Sequence, residues 1–135
     1  MTTMRAGATL RVLATFETFL ALSALYGGVS LIVGAPGFRM PIEWLAPLGL
    51  TSWVLPGIAL IVAIGGTLAW AATFAWRADF RAPLAGLAAG LVLVGWLAIQ
   101  FAVMGLRAPI QWVTAALVVV LFALALLARR RPASR

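Results

Sequence analysis

Cysteine and histidine are both missing from the 135-residue chain. Without Cys there are no disulfides, no thiolate nucleophile and no Cys-held zinc or iron–sulfur centre. Without His the commonest metal and haem ligand is gone, together with the usual general base. Lysine and asparagine are absent too, so all ten basic residues are Arg. With the abundance of Ala, Leu and Gly, this is the composition expected of a GC-rich bacterial genome. Acids number three: Glu17, Glu43 and Asp79. No cofactor and no metal site is expected from such an inventory, and an enzyme is the less favoured reading.

What is present is apolar. Hydrophobic residues make up 64% of the chain and charged residues 10%, with a mean hydropathy of +1.11. A soluble domain is nearer half apolar and a quarter charged, and a chain this short has too little interior to hide the excess. Its natural solvent is lipid. The net charge of +7 does not indicate nucleic acid, because the arginines punctuate apolar runs instead of forming a basic face with interleaved aromatics.

A bilayer core of about 30 Å takes roughly 20 helical residues to cross. Four runs are that long: about 10–33, 53–76, 83–106 and 111–128, with an outer loop over 34–52. No run alternates as a barrel strand would. The expected fold is therefore all-α, a single domain forming an up-down-up-down bundle of four transmembrane helices. Four crossings place Arg5, Arg11, Arg77, Arg81, Arg129, Arg130, Arg131 and Arg135 on one side, and Arg39 and Arg107 on the other. Short-loop arginine marks the cytoplasmic side, so the expectation is a multi-pass protein of the bacterial inner membrane with both termini inside. A cleavable signal peptide is the rival reading of the N-terminus. Glu17 interrupts its apolar core, and the apolar run continues well beyond the small pair Ser23-Ala24.

Helices in lipid associate through small residues that let backbones approach. Candidate stripes are Ala14, Glu17, Ala21, Ala24 and Gly28 in the first span, and Ala59, Ala63 and Gly66, with Gly65, Ala69 and Ala72 beside them, in the second. The third offers Gly86, Gly90, Gly95, Ala98, Ala102 and Gly105, and the fourth Ala116, Ala123 and Ala128. Ordinary bundle packing is the favoured reading over a dedicated dimer face. Trp44, Trp53 and Trp112 on the outer side and Trp76 on the inner fit an interfacial belt. Trp70 and Trp96 lie deeper, as core filling or as contacts to a partner helix or ligand.

Glu17 is the sharpest feature. It sits about 8 Å into the inner half of the bilayer, where a carboxylate costs around 3 kcal/mol on the lenient insertion scales. Its place on the small-residue stripe points it into the bundle. There it either stays protonated and donates a hydrogen bond, or ionises against an arginine; Arg77 and Arg81 match it in depth, and Thr73 is level with it. The functional reading is a proton or cation site; the plain one is a polar clamp joining the first two spans. Both stay open. Gln100 and Gln111, near Trp96, form a second polar spot on the outer side, too far from Glu17 to share a site with it. In the outer loop, Pro41 to Ala46 fits one interfacial helical turn, with Pro41 at its start and Glu43 in its first turn. Residues 37–44 and 105–112 share five identities and a Glu/Gln match, which suits a recurring interfacial solution of Arg, Pro and Trp better than a true repeat.

The run Gly37-Phe-Arg-Met-Pro-Ile-Glu-Trp-Leu45, then Val54-Leu-Pro-Gly-Ile-Ala-Leu60 and Gly65-Gly66, with Glu17 early and Trp96 before Gln100, resembles a widespread family of short bacterial four-span integral membrane proteins. The resemblance implies the fold and carries no assigned activity. Small multidrug resistance transporters also have four spans and a Glu in the first. Their dual topology needs a weak charge bias, from which eight arginines against two departs. The leading expectation is a non-enzymatic accessory or lipophilic-ligand-binding bundle, alone, as a homo-oligomer or in a larger membrane complex. The alternative is a proton-coupled small-molecule transporter working through Glu17.

Overall fold

The computed structural model describes residues 2–34, 41–49, 51–104 and 109–130. Four long helices account for most of them: α1 (Thr2–Val33), α2 (Val54–Trp76), α3 (Ala82–Met104) and α4 (Pro109–Arg130). No strand occurs among the described residues. All four are long and apolar enough to cross a membrane, the mark of a multi-pass membrane protein. Large apolar side chains cover the outside, among them Phe19, Leu22, Val62, Leu91 and Val119. In water such a surface would drive aggregation; against lipid it is the expected exterior.

Helix ends follow local chemistry. α1 stops at Gly34, whose φ of +67° is left-handed and is the common way to end a helix. α2 ends in a Schellman arrangement: the Asp79 N–H donates to the Phe74 carbonyl at 3.0 Å and the Ala78 N–H to the Ala75 carbonyl at 3.1 Å. Ala78 occupies the left-handed position, at φ +53°, that glycine usually takes. Pro83 lies in the first turn of α3, where its missing N–H would have had no partner anyway. The loop turn expected at 41–46 is a short 3₁₀ helix over Ile42–Leu48 that begins after Pro41 and ends at Gly49, φ +68°. Its Leu45 is buried, and the turn packs on α3. Residues 37–40 and 105–108, which carry two of the five identities of the internal similarity, lie outside the described residues.

Each helix packs on its neighbours in sequence, and α4 closes back on α1; α1 touches α3 only slightly across the diagonal. The tightest crossing joins α1 and α2. A Cβ placed on Gly57 would lie 2.6 Å from the Gly28 carbonyl oxygen, and one placed on Gly28 would lie 2.7 Å from the Gly57 oxygen. Backbone meets backbone there, which only glycine permits. Just beyond the crossing, Leu60–Gly65 of α2 winds as a π-helical segment.

The packing stripes differ in part from the expected ones. In α1 the expected face is the observed one: Ala14, Glu17, Ala24 and Gly28 are buried and Ala21 is half-buried. In α2, Ala63, Gly66 and Ala69 face outward, while Gly57, Ile64, Leu68, Ala71 and Ala75, with the expected Ala72, face inward. In α3 the stripe holds through Gly86 and Gly90, but Gly95, Ala98 and Ala102 are exposed and Leu93 and Leu97 take the interior. In α4, Ala116 and Ala123 are exposed, and Val118, Leu121, Ala125 and Ala128 are buried. The physical reason is shared. These helices are small and apolar on every side, so spacing alone leaves the rotation undecided until contacts choose it. Helix α1 also begins eight residues before the first span was expected to start, because span length is read from apolarity and helix length from backbone bonding.

Candidate functional site

Glu17 lies in the middle of this packing. Its relative exposure is 0%, and neither carboxyl oxygen has a hydrogen-bond partner. Oε2 approaches α3 where that helix has no side chain, 3.0 Å from the place a Cβ on Gly86 would occupy. Leu13 of α1 and Ala125 of α4 adjoin the same spot. The carboxyl therefore sits at the junction of α1, α3 and α4, in a cradle of apolar groups. A buried polar group without a partner costs roughly 1–3 kcal/mol, and a carboxylate without a cation costs more.

None of the groups expected to pair with Glu17 bonds to it. Thr73 is exposed and its hydroxyl donates to the Ala69 carbonyl at 2.9 Å. Arg77 is exposed at the end of α2. Arg81 is held by Asp79, with Nε donating to Oδ1 at 3.1 Å and Nη2 donating to Oδ2 at 3.0 Å. Its guanidinium also lies 4.8 Å from the centre of the Phe74 ring and 5.6 Å from that of Phe80, both within cation–π range. The Arg81 side chain and backbone hydrogen bonds hold the Asp79 carboxyl below its ordinary value of 3.8. The turn between α2 and α3 is thus a self-contained polar knot, and Glu17 is not part of it.

The join between α1 and α2 that a polar clamp would supply comes from another residue. Trp76 Nε1 donates to the Thr18 hydroxyl oxygen at 2.9 Å, tying the end of α2 to α1 one residue past Glu17. Sequence reasoning placed Trp76 in the interfacial belt and did not identify Thr18; the i+1 position beside Glu17 carried no distinguishing signal.

At the opposite end of the bundle, Gln111 is 1% exposed, Gln100 is half-buried and Trp96 packs on the core from the half-buried layer. Ser30, near the end of α1, is a third buried polar residue that sequence reasoning passed over, because a single Ser in an apolar helix is unremarkable. Trp70 is 50% exposed and stacks edge-on against Phe74 at 5.2 Å, so it faces the surroundings and does not fill the core. No group of three or more acids that could hold a metal occurs among the described residues. Comparison of the chain with protein-family models, curated proteins and solved structures finds no match.

Proposed function

We propose that this is an inner-membrane protein, with both termini cytoplasmic, that exchanges a proton at Glu17 and couples that exchange to movement of a small molecule. The observation that carries the reading is the fully buried carboxyl with two unpartnered oxygens against Gly86. A polar clamp would show a donor on a neighbouring helix, and Trp76 with Thr18 already joins α1 to α2. An intramembrane acid kept without a structural partner points to function. In the closed packing the cradle tolerates the carboxyl as an uncharged acid. Releasing the proton leaves a charge that needs water or a cation, so exchange is tied to parting α1 from α3 and α4.

The experiment is a pH jump applied to proteoliposomes on a solid-supported membrane. Wild-type protein gives a transient displacement current, and Glu17→Gln gives none while remaining folded. Glu17→Leu, which removes the unpartnered acid at similar volume, unfolds at a higher temperature in detergent, by about 1–2 kcal/mol. An undiminished current in Glu17→Gln overturns the proton reading. Unfolding of both variants restores the clamp.

A second reading, an accessory bundle that binds a lipophilic ligand, is favoured by an apolar shelf on the flank of α1 turned away from the bundle.

A further inference from the structure

The shelf runs along α1 on the side turned away from Glu17. It is an open recess of about 460 Å³ lined by Arg11, Val12, Thr15, Phe16 and Phe19. Arg11, Val12, Thr15 and Phe19 are exposed and Phe16 is half-buried as its floor. Spacings of one, four, five and eight residues from Arg11 place these side chains along one flank of the helix. The Thr15 hydroxyl donates to the Arg11 carbonyl at 2.7 Å, so it brings no donor to the recess. Among the described residues that line it, the guanidinium of Arg11 is the one cation.

Among the described residues no carboxylate answers that cation. Glu17 is buried on the other face of α1, Asp79 is held by Arg81, and Glu43 lies in the turn on the opposite side of the bundle. Arg11 also stands at a particular depth. From Arg11 to the end of α1 at Val33 is about 33 Å of helix, close to the thickness of a bilayer's hydrocarbon core. Arg11 is thus level with lipid phosphates, and Phe19, about 12 Å further along, is level with acyl chains.

We propose that this shelf is a binding site for an anionic phospholipid, with the phosphate on Arg11 and an acyl chain along Val12, Phe16 and Phe19. Charge complementarity selects the anionic headgroup, since a guanidinium binds phosphate through paired, charge-assisted hydrogen bonds. The apolar wall selects a lipid over a free anion. The inference rests on placement in a membrane and is independent of proton exchange at Glu17.

Native mass spectrometry of the full chain in detergent tests it, with phosphatidylglycerol, phosphatidylcholine or inorganic phosphate added. Phosphatidylglycerol is expected to bind in preference to phosphatidylcholine. Arg11→Gln should weaken it about fivefold, the factor for the roughly 1 kcal/mol of one arginine near an anionic surface. Arg129→Gln, exposed on α4, should leave binding unchanged and so acts as the charge control. Phe19→Ala should weaken the lipid and leave any phosphate binding unaltered. Equal retention of phosphatidylglycerol by wild type and Arg11→Gln overturns the site. So does equal binding of phosphatidylcholine, or displacement of the lipid by millimolar inorganic phosphate. A loss of preference shared equally by Arg129→Gln means that total charge, not this shelf, holds the lipid.

Discussion

Two residues sit where their chemistry is costly, and the cost has a different meaning in each. Glu17 buries an acid with no partner, which packing alone does not reward; the proposed proton exchange supplies a reason to keep it. Ala78 holds a left-handed backbone at φ +53°, which costs an L-residue about 1–2 kcal/mol, and nothing at the site uses that strain. Ala78→Gly should therefore stabilise the protein by about 0.5–1 kcal/mol, after allowing for the extra freedom glycine has when unfolded. Thermal unfolding in detergent reads this directly, and an unchanged or lowered midpoint contradicts it. Glu17 was legible in the sequence as an acid inside an apolar run. Its lack of a partner was not, because that depends on where Thr73, Arg77 and Arg81 turn, and all three turn away.

At the level of elements, the pair α1 and α2 is organised by the Gly28–Gly57 crossing. Gly28→Ala or Gly57→Ala forces the two backbones apart, since the added methyl would fall 2.7 or 2.6 Å from a carbonyl oxygen. Each should cost about 2–3 kcal/mol. Gly66→Ala and Gly95→Ala make a matched control, because nothing lies within 4 Å of a Cβ at either position. They should be neutral or stabilising by up to about 1 kcal/mol, alanine being the better helix former. Equal effects across the four variants, measured as unfolding midpoints, would show that propensity and not the crossing governs this pair. The crossing also explains why the second span's stripe was misread. Gly57 sets the rotation of α2, which turns Ile64 and Leu68 inward and Ala63 and Gly66 outward. Small-residue spacing marks every possible face of such a helix and so distinguishes none.

For the whole molecule, the proposed orientation rests on eight arginines against two. The absence of cysteine makes the test clean, since a single introduced thiol is the only one present. Ser52→Cys, ahead of α2, should react with a membrane-impermeant maleimide in intact cells. Ser134→Cys, near the C-terminus, should react only after the membrane is permeabilised. The reverse pattern inverts the topology, and labelling of both in intact cells overturns a single orientation.

Composition and local pattern were enough to read the environment, the number of helices and the location of the buried acid. Each follows from composition and local pattern: long apolar runs demand lipid, their lengths match helices that cross it, and one carboxyl interrupts the first. Tertiary structure decided which faces meet, that Glu17 is held against Gly86 without a donor, and that Arg81 belongs to Asp79. It also decided that Trp76 and Thr18 join the first two helices, and that the opposite flank of α1 keeps Arg11 over an apolar recess. Those outcomes depend on the rotation of each helix about its own axis. In a chain small and apolar on nearly every face, close backbone approach sets that rotation, and no periodicity records it in advance.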